Sequence, residues 1–486
     1  MNGKCCSITN NAYVGEFVKF LNKAVTPYHV INYCRSSFAD ANFVELNDGD
    51  QWQITPGRSY FVVKNESSVI AFAVGGKFKP GNAANIIATH TDSPCLKVKP
   101  IATAGYANWK QVSVTTYGGG IWRTWFDREL TVAGRLFVKV GRCLFVCCNF
   151  SLWKLCMQEN ESVHMKLFNL EHPLLFLPNL AIHLDRDSNT TFTFNAEEHL
   201  KPIFTFTSNT TNDKSKVMSI IDIIGRRLEI NPENILSSDV FLVPVQEATT
   251  GGLVGEFIFG ARLDNLMSTY NGLTSILTIS QDQAWMNSSE SISMFAAFDN
   301  EECGSMSAQG AMSSWTEWVL RRLQNDAFER SIAKSFLISA DVAHAIHPNY
   351  KSKHDTNHCP EFGKGIVIKL NANQRYATSG SSLAKMIRLA DMTCTPHQFY
   401  TNRNDIGCGS TVGPILASKL AIETVDVGAP LLAMHSVREM GCTFGLVCGD
   451  TFFKGFFYRM HEVEKEFNKS VTSIEQKSAT EVDKQL

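Results

Sequence analysis

The second half of the chain alternates short apolar runs with helical segments, and this alternation limits the fold more than any other feature of the sequence. Beyond Gly251 the strand candidates are SISMFAAF, SFLISAD, GIVIKL, TVDVGAP and LLAMHS, and helical segments lie between several of them. Such alternation is typical of a parallel or mixed sheet that carries helices on both faces. The sequence therefore predicts an α/β fold.

The first half of the chain divides into two parts of different texture. Up to about residue 95 the pattern predicts two helices, a hairpin in SYFVVKNESSVIAFAVGG and a buried strand in NIIATH. From Leu96 to Thr249 short strand-like pieces (QVSVTTY, ELTVAGRLFVKV, TFTFNA) alternate with turns around one helix in KVMSIIDIIGRRL. We therefore predict a catalytic domain in two parts, 1–95 and 251–471, an inserted β-rich domain at 96–250, and a polar, disordered tail at 472–486.

Charge and cysteine content exclude several classes of function. The 486 residues include 45 basic and 47 acidic side chains, and this balance argues against non-specific nucleic-acid binding. The 14 cysteines are irregularly spaced without a C-x-x-C pair, so neither a disulfide framework nor a cysteine zinc site is indicated. No secretory signal is apparent at the start, and no apolar stretch is long enough to span a bilayer. We expect a cytoplasmic protein that binds neither nucleic acid nor membrane.

Metal-ligand residue types follow five of the apolar runs. They are His90 and Asp92 after NIIAT, Asp264 in GARLDNL, Glu301 and Glu302 after MFAAFDN, Asp341 after FLISA, and His435 after LLAM. In open α/β sheets the carboxyl ends of the strands form the ligand crevice. Imidazoles and carboxylates that converge there would suit one or two divalent ions, with zinc the first choice.

Each of these residues also has a simpler interpretation. His90 could be a strand-end histidine with one hydrogen bond, Asp264 could cap a helix that begins near Asn265, and the Glu301–Glu302 pair could be a solvated acidic turn. In a crevice with a cation, one glutamate of that pair can bind the ion while the other accepts a proton from water. Asp92 lies two residues beyond His90, where its carboxylate can fix the imidazole tautomer. On spacing alone His344 and His347 are further ligand candidates.

Nine segments carry a resemblance to a known family. In chain order they are AFAVGGKFKPGN, THTDSPCLKVK, TYGGGIWRTWFDREL, EFIFGARLDNL, DNEECGSMSAQGA, KSFLISADVAHAIHPNY, NQRYA, RNDIGCGSTVGPILAS and LAMHSVREM. In content and order they resemble the aspartyl aminopeptidases, dinuclear-zinc metallopeptidases that act on peptides with an N-terminal acidic residue. The resemblance spans nearly the whole chain, from about Val14 to Tyr458. It implies a mixed-sheet metallopeptidase catalytic domain that is interrupted by a β-rich dimerisation domain.

The same resemblance implies a role for each candidate residue. His90 and Asp341 would bind one zinc ion, Asp264 would bridge both ions, and Glu302 and His435 would complete the second site. Glu301 would be the general base and Asp92 the carboxylate that orients His90. His183, His344, Lys369 and Tyr376 would contact the substrate. Lys369 is our first candidate to recognise the acidic side chain, and the alternative is a strand lysine that extends to solvent.

The resemblance also implies a homo-oligomer, a tetrahedral dodecamer in which the histidine at the position of His183 reaches a neighbouring active site. Residues 142–170 depart from the family pattern and contain Cys143, Cys147, Cys148 and Cys156. Two origins fit this segment: a lineage-specific loop that packs on a partner subunit, or an unspliced or mispredicted stretch of coding sequence. The alternative functions are another dinuclear-metal exopeptidase or deacylase of the same fold, or a catalytically silent scaffold if this insert blocks assembly.

Overall fold

The structure, a computed structural model, describes residues 11–140, 162–206 and 218–482. The cysteine cluster at 143–156 lies outside the described residues. The chain forms two compact units, one from Met1–Ser93 with Ala248–Leu486 and one from Pro94–Glu247. The role of the second unit in dimerisation stays a prediction.

The described strands and helices are numbered along the chain. The strands are β1 Val44–Leu46, β2 Ser59–Lys64, β3 Ser68–Val74, β4 Ala84–His90, β5 Cys95–Ala104, β6 Trp109–Tyr117, β7 Glu129–Val140, β8 Ser162–Asn169, β9 Leu175–Phe176, β10 Ile203–Phe206, β11 Ile235–Pro244, β12 Thr249–Gly251, β13 Phe257–Gly260, β14 Ile292–Phe298, β15 Phe336–Ala340, β16 Ala343–His344, β17 Ile366–Lys369, β18 His397–Tyr400, β19 Glu423–Gly428, β20 Pro430–Leu431 and β21 Glu439–Cys442. The helices are α1 Asn11–Lys23, α2 Pro27–Asp40, α3 Ala196–His199, α4 Ile220–Arg227, α5 Leu263–Gln281, α6 Gln283–Ser288, α7 Trp315–Gln324, α8 Phe328–Ile332, α9 Gly380–Met392, α10 Val412–Leu420 and α11 Thr443–Val482.

A mixed sheet forms the centre of the first unit, in the order β1-β2-β3-β14-β4-β15-β19-β17-β18. Every residue of β4, β14 and β15 is buried, because helices cover both faces of the sheet. Ile87 and Phe295 face a core that α1, α2, α5 and α11 complete, whereas Ile86 and Met294 face the core under α7 and α10. The predicted α/β fold with a mixed sheet is confirmed.

The hairpin predicted from SYFVVKNESSVIAFAVGG is also present, as the antiparallel pair β2 and β3. By contrast, LLAMHS is not a strand beyond Leu431: β20 ends there, and Ala433 and His435 take positive φ angles of 55° and 67°. Leu432 still makes a single antiparallel bridge with Met440, and the turn begins at Ala433.

The second unit is β-rich, as predicted. Strands β11, β5, β6, β10, β9 and β7 close into a ring because β7 pairs with both β9 and β11, and β8 pairs with β7 alone. The strand expected in TFTFNA is wrong. Phe192 and Phe194 instead pack their rings on Phe126, and the Asn195 side chain accepts hydrogen bonds from the first N–H groups of α3.

Helix α11 begins at Thr443 and packs Phe452 and Phe456 into the core beside α5 and α9. It extends past Thr472 to Val482, and the disorder of the polar tail stays a prediction. Across the residues described, no helix has both the length and the apolar character that crossing a bilayer requires.

Candidate metal centre

Three neighbouring parallel strands bring most of the predicted ligands to one edge of the sheet. β4 is flanked by β14 and β15, and all three run in the same direction. His90 is the last residue of β4, Asp341 follows β15, and Glu301 and Glu302 form a 3-10 turn shortly after β14. Because parallel strands end at the same edge, the chain order places these side chains together.

Asp264 and His435 reach the same point from outside the sheet. Asp264 lies in the first turn of α5 with 4% of its surface exposed, and His435 lies in the turn after β20. Asp264 Oδ1 is 3.3 Å from Nε2 of His90, and Asp264 Oδ2 is 3.2 Å from Nε2 of His435. The carboxylate of Asp264 therefore lies between the two imidazoles, with one oxygen towards each.

The remaining carboxylates surround this arrangement. His90 Nε2 is 3.8 Å from Asp341 Oδ1 and 4.0 Å from Glu301 Oε2, and His435 Nε2 is 3.5 Å from Glu302 Oε2. In the described part of the chain, ligand atoms of His90, Asp264 and Glu302 all lie within 4.8 Å of one another. The structure thus brings together the carboxylates and imidazoles that the sequence singled out at this edge.

Burial and the neighbouring charges shift the pKa values of these groups. Burial raises the pKa of Glu301 to about 8, with repulsion from Asp341 and Asp92 adding to it and His90 opposing it. Burial and the charge of Asp264 likewise raise the pKa of Glu302 well above its usual value. Burial would lower the pKa of His90, but the neighbouring carboxylates of Asp264 and Asp341 hold it well above the ordinary value. The cluster contains more carboxylate than positive charge.

The donor set fits a zinc site. Two buried oxygens, Asp264 Oδ1 and Glu302 Oε1, make no hydrogen bond, although unsatisfied buried carboxylate oxygens are costly. Imidazole nitrogens and carboxylate oxygens are ligands that zinc takes in proteins, and a cation would balance the surplus negative charge. The interpretation of Glu301 and Glu302 as a solvated turn does not hold, because their side chains are only 14% and 4% exposed.

Asp92 has partners besides His90, which the sequence suggested. Its two carboxylate oxygens accept the backbone N–H groups of Glu301 and Glu302, each at 3.1 Å. The Nδ1 atom of His90 lies 3.0 Å from the backbone oxygen of Asp92 and 3.5 Å from its carboxylate. The main chain of Asp92 is thus the nearer partner of His90, and its side chain holds the turn that carries both glutamates.

Sequence reasoning missed Glu439, a carboxylate directly behind the cluster. Glu439 is 2% exposed; its Oε2 accepts the N–H of Asp264 at 3.1 Å, and its Oε1 accepts the N–H of His435 at 2.8 Å. Burial and repulsion from Asp264 raise the pKa of Glu439 to about 8. The only sequence signal was its position four residues after His435, within LAMHSVREM.

The predicted substrate residues His344, Lys369 and Tyr376 lie close to one another. The Lys369 side chain is 2% exposed, with Nζ 3.2 Å from the backbone oxygen of Val342, 3.8 Å from Asp341 Oδ2 and 4.9 Å from the ring centre of Tyr376. The rings of His344 and Tyr376 both pack edge-on against Tyr400. Burial and the charge of Lys369 lower the pKa of His344, and burial beside Cys408 raises the pKa of Tyr376.

Two other histidines were also candidates. His183 belongs to the inserted unit, where it is exposed between Leu180 and Leu184, which are 61% and 75% exposed. His347 packs on Tyr350, and its Nδ1 accepts the N–H of Asn349. His347 is therefore used within its own loop.

The fold and ligand cluster define an α/β protein with a zinc-type metal centre, and comparison with known proteins agrees. Residues 20–457 match the family described as aminopeptidase I zinc metalloprotease (M18). The chain belongs to this family.

Individual relatives support the resemblance seen in the sequence. The aspartyl aminopeptidase of Caenorhabditis elegans is 44% identical over 92% of this chain and 95% of its own length. A solved structure of the Ape4 and Nbr1 complex matches with a TM-score of 0.86 and 36% identity, over 96% of this chain and 89% of that one. The structure of the S. cerevisiae mApe1 dodecamer matches with a TM-score of 0.79 and 25% identity, over 94% and 99% of the two chains. The resemblance to aspartyl aminopeptidases is confirmed.

Proposed function

We propose that this chain is an aminopeptidase that removes N-terminal Asp or Glu from peptides with two zinc ions per subunit. The observation that carries the proposal is the position of Asp264, with one oxygen towards His90 and the other towards His435. A carboxylate in this position can bind two ions at once, one through each oxygen. The relative from C. elegans, named as an aspartyl aminopeptidase, supports the choice of reaction.

In this proposal Asp264 would bind both ions. His90 and Asp341 would hold one ion, and Glu302 and His435 would hold the other. Bound zinc supplies Lewis acidity, which polarises a peptide carbonyl and makes water nucleophilic near neutral pH. Asp92 and Glu439 hold the backbone of the ligand-bearing turns through the N–H groups described above.

Glu301 acts as the general base. It is the neighbour of a ligand, and its Oε2 lies 4.0 Å from Nε2 of His90, within reach of water held at the metal centre. Its carboxylate accepts a proton from the attacking water and later delivers that proton to the leaving amine. His344 or Tyr376 would donate a further hydrogen bond to the oxyanion that develops on the substrate carbonyl.

Lys369 is the proposed source of selectivity for acidic residues. A buried ammonium group beside Asp341 and beneath Tyr376 favours a carboxylate in its vicinity over an apolar side chain. A peptide with a neutral N-terminal side chain would leave the Lys369 ammonium group with one partner fewer. This loss should discriminate against neutral peptides more strongly than the attraction favours acidic ones.

We further propose a cytoplasmic homo-oligomer, of dodecameric form as in the mApe1 structure, in which the inserted unit forms the dimer contact. The exposed leucines beside His183 support a contact there, because clustered exposed apolar side chains often mark interfaces. Such a contact would let His183 serve the active site of a neighbouring subunit.

A panel of peptides tests the activity. The zinc-loaded protein is assayed with peptides that differ only in an N-terminal Asp, Glu, Ala or Leu, and kcat/KM is compared. We expect Asp and Glu to be preferred by about two orders of magnitude. Preference for Ala or Leu would favour a different exopeptidase of the same fold, and zinc binding without hydrolysis would favour a silent scaffold. Native mass measurement with and without residues 142–160, a deletion that leaves β8 in place, tests the assembly.

A further inference from the structure

We propose that Glu439 is a positioning residue that fixes Asp264 and His435 relative to each other and thereby sets the affinity of the shared metal site. Its two carboxylate oxygens accept one backbone N–H from each ligand residue, Asp264 at 3.1 Å and His435 at 2.8 Å. The inference rests on the proposed metal site but not on the proposed substrate.

The backbone conformation around both ligands explains why these two hydrogen bonds to Glu439 are needed. Asp264 follows Arg262, whose φ is 65°, and has non-helical angles of its own although it lies at the start of α5. His435 has a φ of 67° in an irregular turn. Both residues lie in irregular backbone, where the hydrogen bond to Glu439 fixes the N–H of each one. Glu439 itself lies on β21, where it pairs with Gly260 of β13.

Glu439 links the two ligands through the connections of its own strand. Gly260 lies at the end of β13, shortly before Asp264, while His435 lies four residues before Glu439 on the other side. The β13–β21 pairing therefore brings both ligand-bearing turns to one carboxylate. Through this carboxylate, the 3.2 Å separation between Asp264 Oδ2 and His435 Nε2 is coupled to the small sheet that β12, β13 and β21 form.

A carboxylate can accept both backbone N–H groups, whereas an amide can accept only one of them. Glutamine at this position would keep one acceptor oxygen, but its NH₂ group would face the N–H of either Asp264 or His435. A buried N–H would lose its partner.

The test compares Glu439→Gln with the wild type for zinc affinity, by competition with a chromophoric chelator, and for the thermal midpoint with and without zinc. We expect zinc affinity to fall 10- to 100-fold, as for other residues that orient ligands. The midpoint of the metal-free protein should fall because a buried N–H loses its partner, and the midpoint of the zinc-loaded protein should fall further because zinc binding is weakened as well. The stabilisation that zinc provides should shrink.

Asp450→Asn is the matched control. Asp450 also accepts two hydrogen bonds in the same unit, from Thr274 and Lys454, but lies away from the metal centre. We expect this variant to keep wild-type zinc affinity. Glu439→Asp, which keeps the charge on a shorter side chain, should bind zinc more tightly than Glu439→Gln, and it serves as the test if Glu439→Gln does not fold.

Two results would overturn the inference. One is an unchanged zinc affinity in Glu439→Gln. The other is an equal fall in thermal midpoint for the metal-free and zinc-loaded forms, which would mean a purely structural role. If the wild type itself bound no zinc, the proposed metal site would fail and this inference with it. A failed peptide preference alone would leave the zinc result standing.

Discussion

Replacing Asp92 by Asn should disturb the turn that carries Glu301 and Glu302. Asp92 is 1% exposed and accepts two backbone N–H groups, one through each carboxylate oxygen at 3.1 Å. Asparagine retains one acceptor, and its NH₂ group would face the other N–H. The backbone oxygen that lies beside His90 Nδ1 is unchanged by the substitution.

The expected cost follows from these two bonds. One charge-assisted hydrogen bond becomes neutral, which loses about 1 kcal/mol, and the second becomes an unpaired buried N–H, which costs about 1–3 kcal/mol. The free energy of unfolding should therefore fall by about 2–4 kcal/mol. At about 2 °C per kcal/mol, the thermal midpoint should drop by roughly 4–8 °C.

The catalytic effect should exceed the effect on stability. A displacement of about 1 Å in the Glu301 carboxylate can cost about 100-fold in kcat. The assay compares the thermal midpoint of the zinc-loaded protein and kcat on an Asp-terminated peptide, with Asp450→Asn as the control that should keep kcat. If Asp92→Asn retained both the midpoint and kcat, the assigned role of these two hydrogen bonds would be wrong.

Three further predictions concern other residues. Glu301→Gln should retain zinc and lose kcat by about 10²–10⁴-fold, whereas Glu302→Gln should lose zinc affinity. If the zinc content and kcat changed alike in the two variants, the division into a base and a ligand would be wrong. Lys369→Met should reduce the ratio of kcat/KM for Asp- over Leu-terminated peptides by on the order of 100-fold, and an unchanged ratio would remove Lys369 as the selective residue. Burial, with the charge of Arg262, lowers the pKa of His29 to about 4. Its contribution to stability is therefore present above the unfolded pKa of about 6.5 and is lost as the pH falls to about 4, up to about 3 kcal/mol. Thermal midpoints of wild type and His29→Gln should converge or cross over this range, and parallel curves would refute the shift.

The metal-ligand candidates could be found from the sequence because each follows a recognisable pattern. His90 and Asp341 come at the ends of apolar runs that no soluble loop would contain, and parallel strand order then forces them together. Asp264 was ambiguous, since an aspartate near a helix start is normally a cap. Only its burial and its position between two imidazoles separate the two interpretations.

The supporting carboxylates could not be assigned in the same way. Asp92 bonds to backbone N–H groups 209 and 210 residues away, and Glu439 bonds to an N–H 175 residues away. A backbone N–H has no sequence signature, so the partner of such a carboxylate appears only when the chain is folded. The same limit applies to LLAMHS and TFTFNA, whose apolar residues fill a turn and an aromatic cluster.

Asp92 and Glu439 together suggest how this centre keeps its shape. Asn300 and His435 have φ angles of 66° and 67°, in the left-handed region, and both belong to turns that carry ligands. Each turn is tied by N–H groups to one buried carboxylate, Asp92 or Glu439. Because these bonds fix the backbone from which the ligands project, replacement of either carboxylate by its amide should weaken the metal centre, although neither residue is proposed to touch zinc.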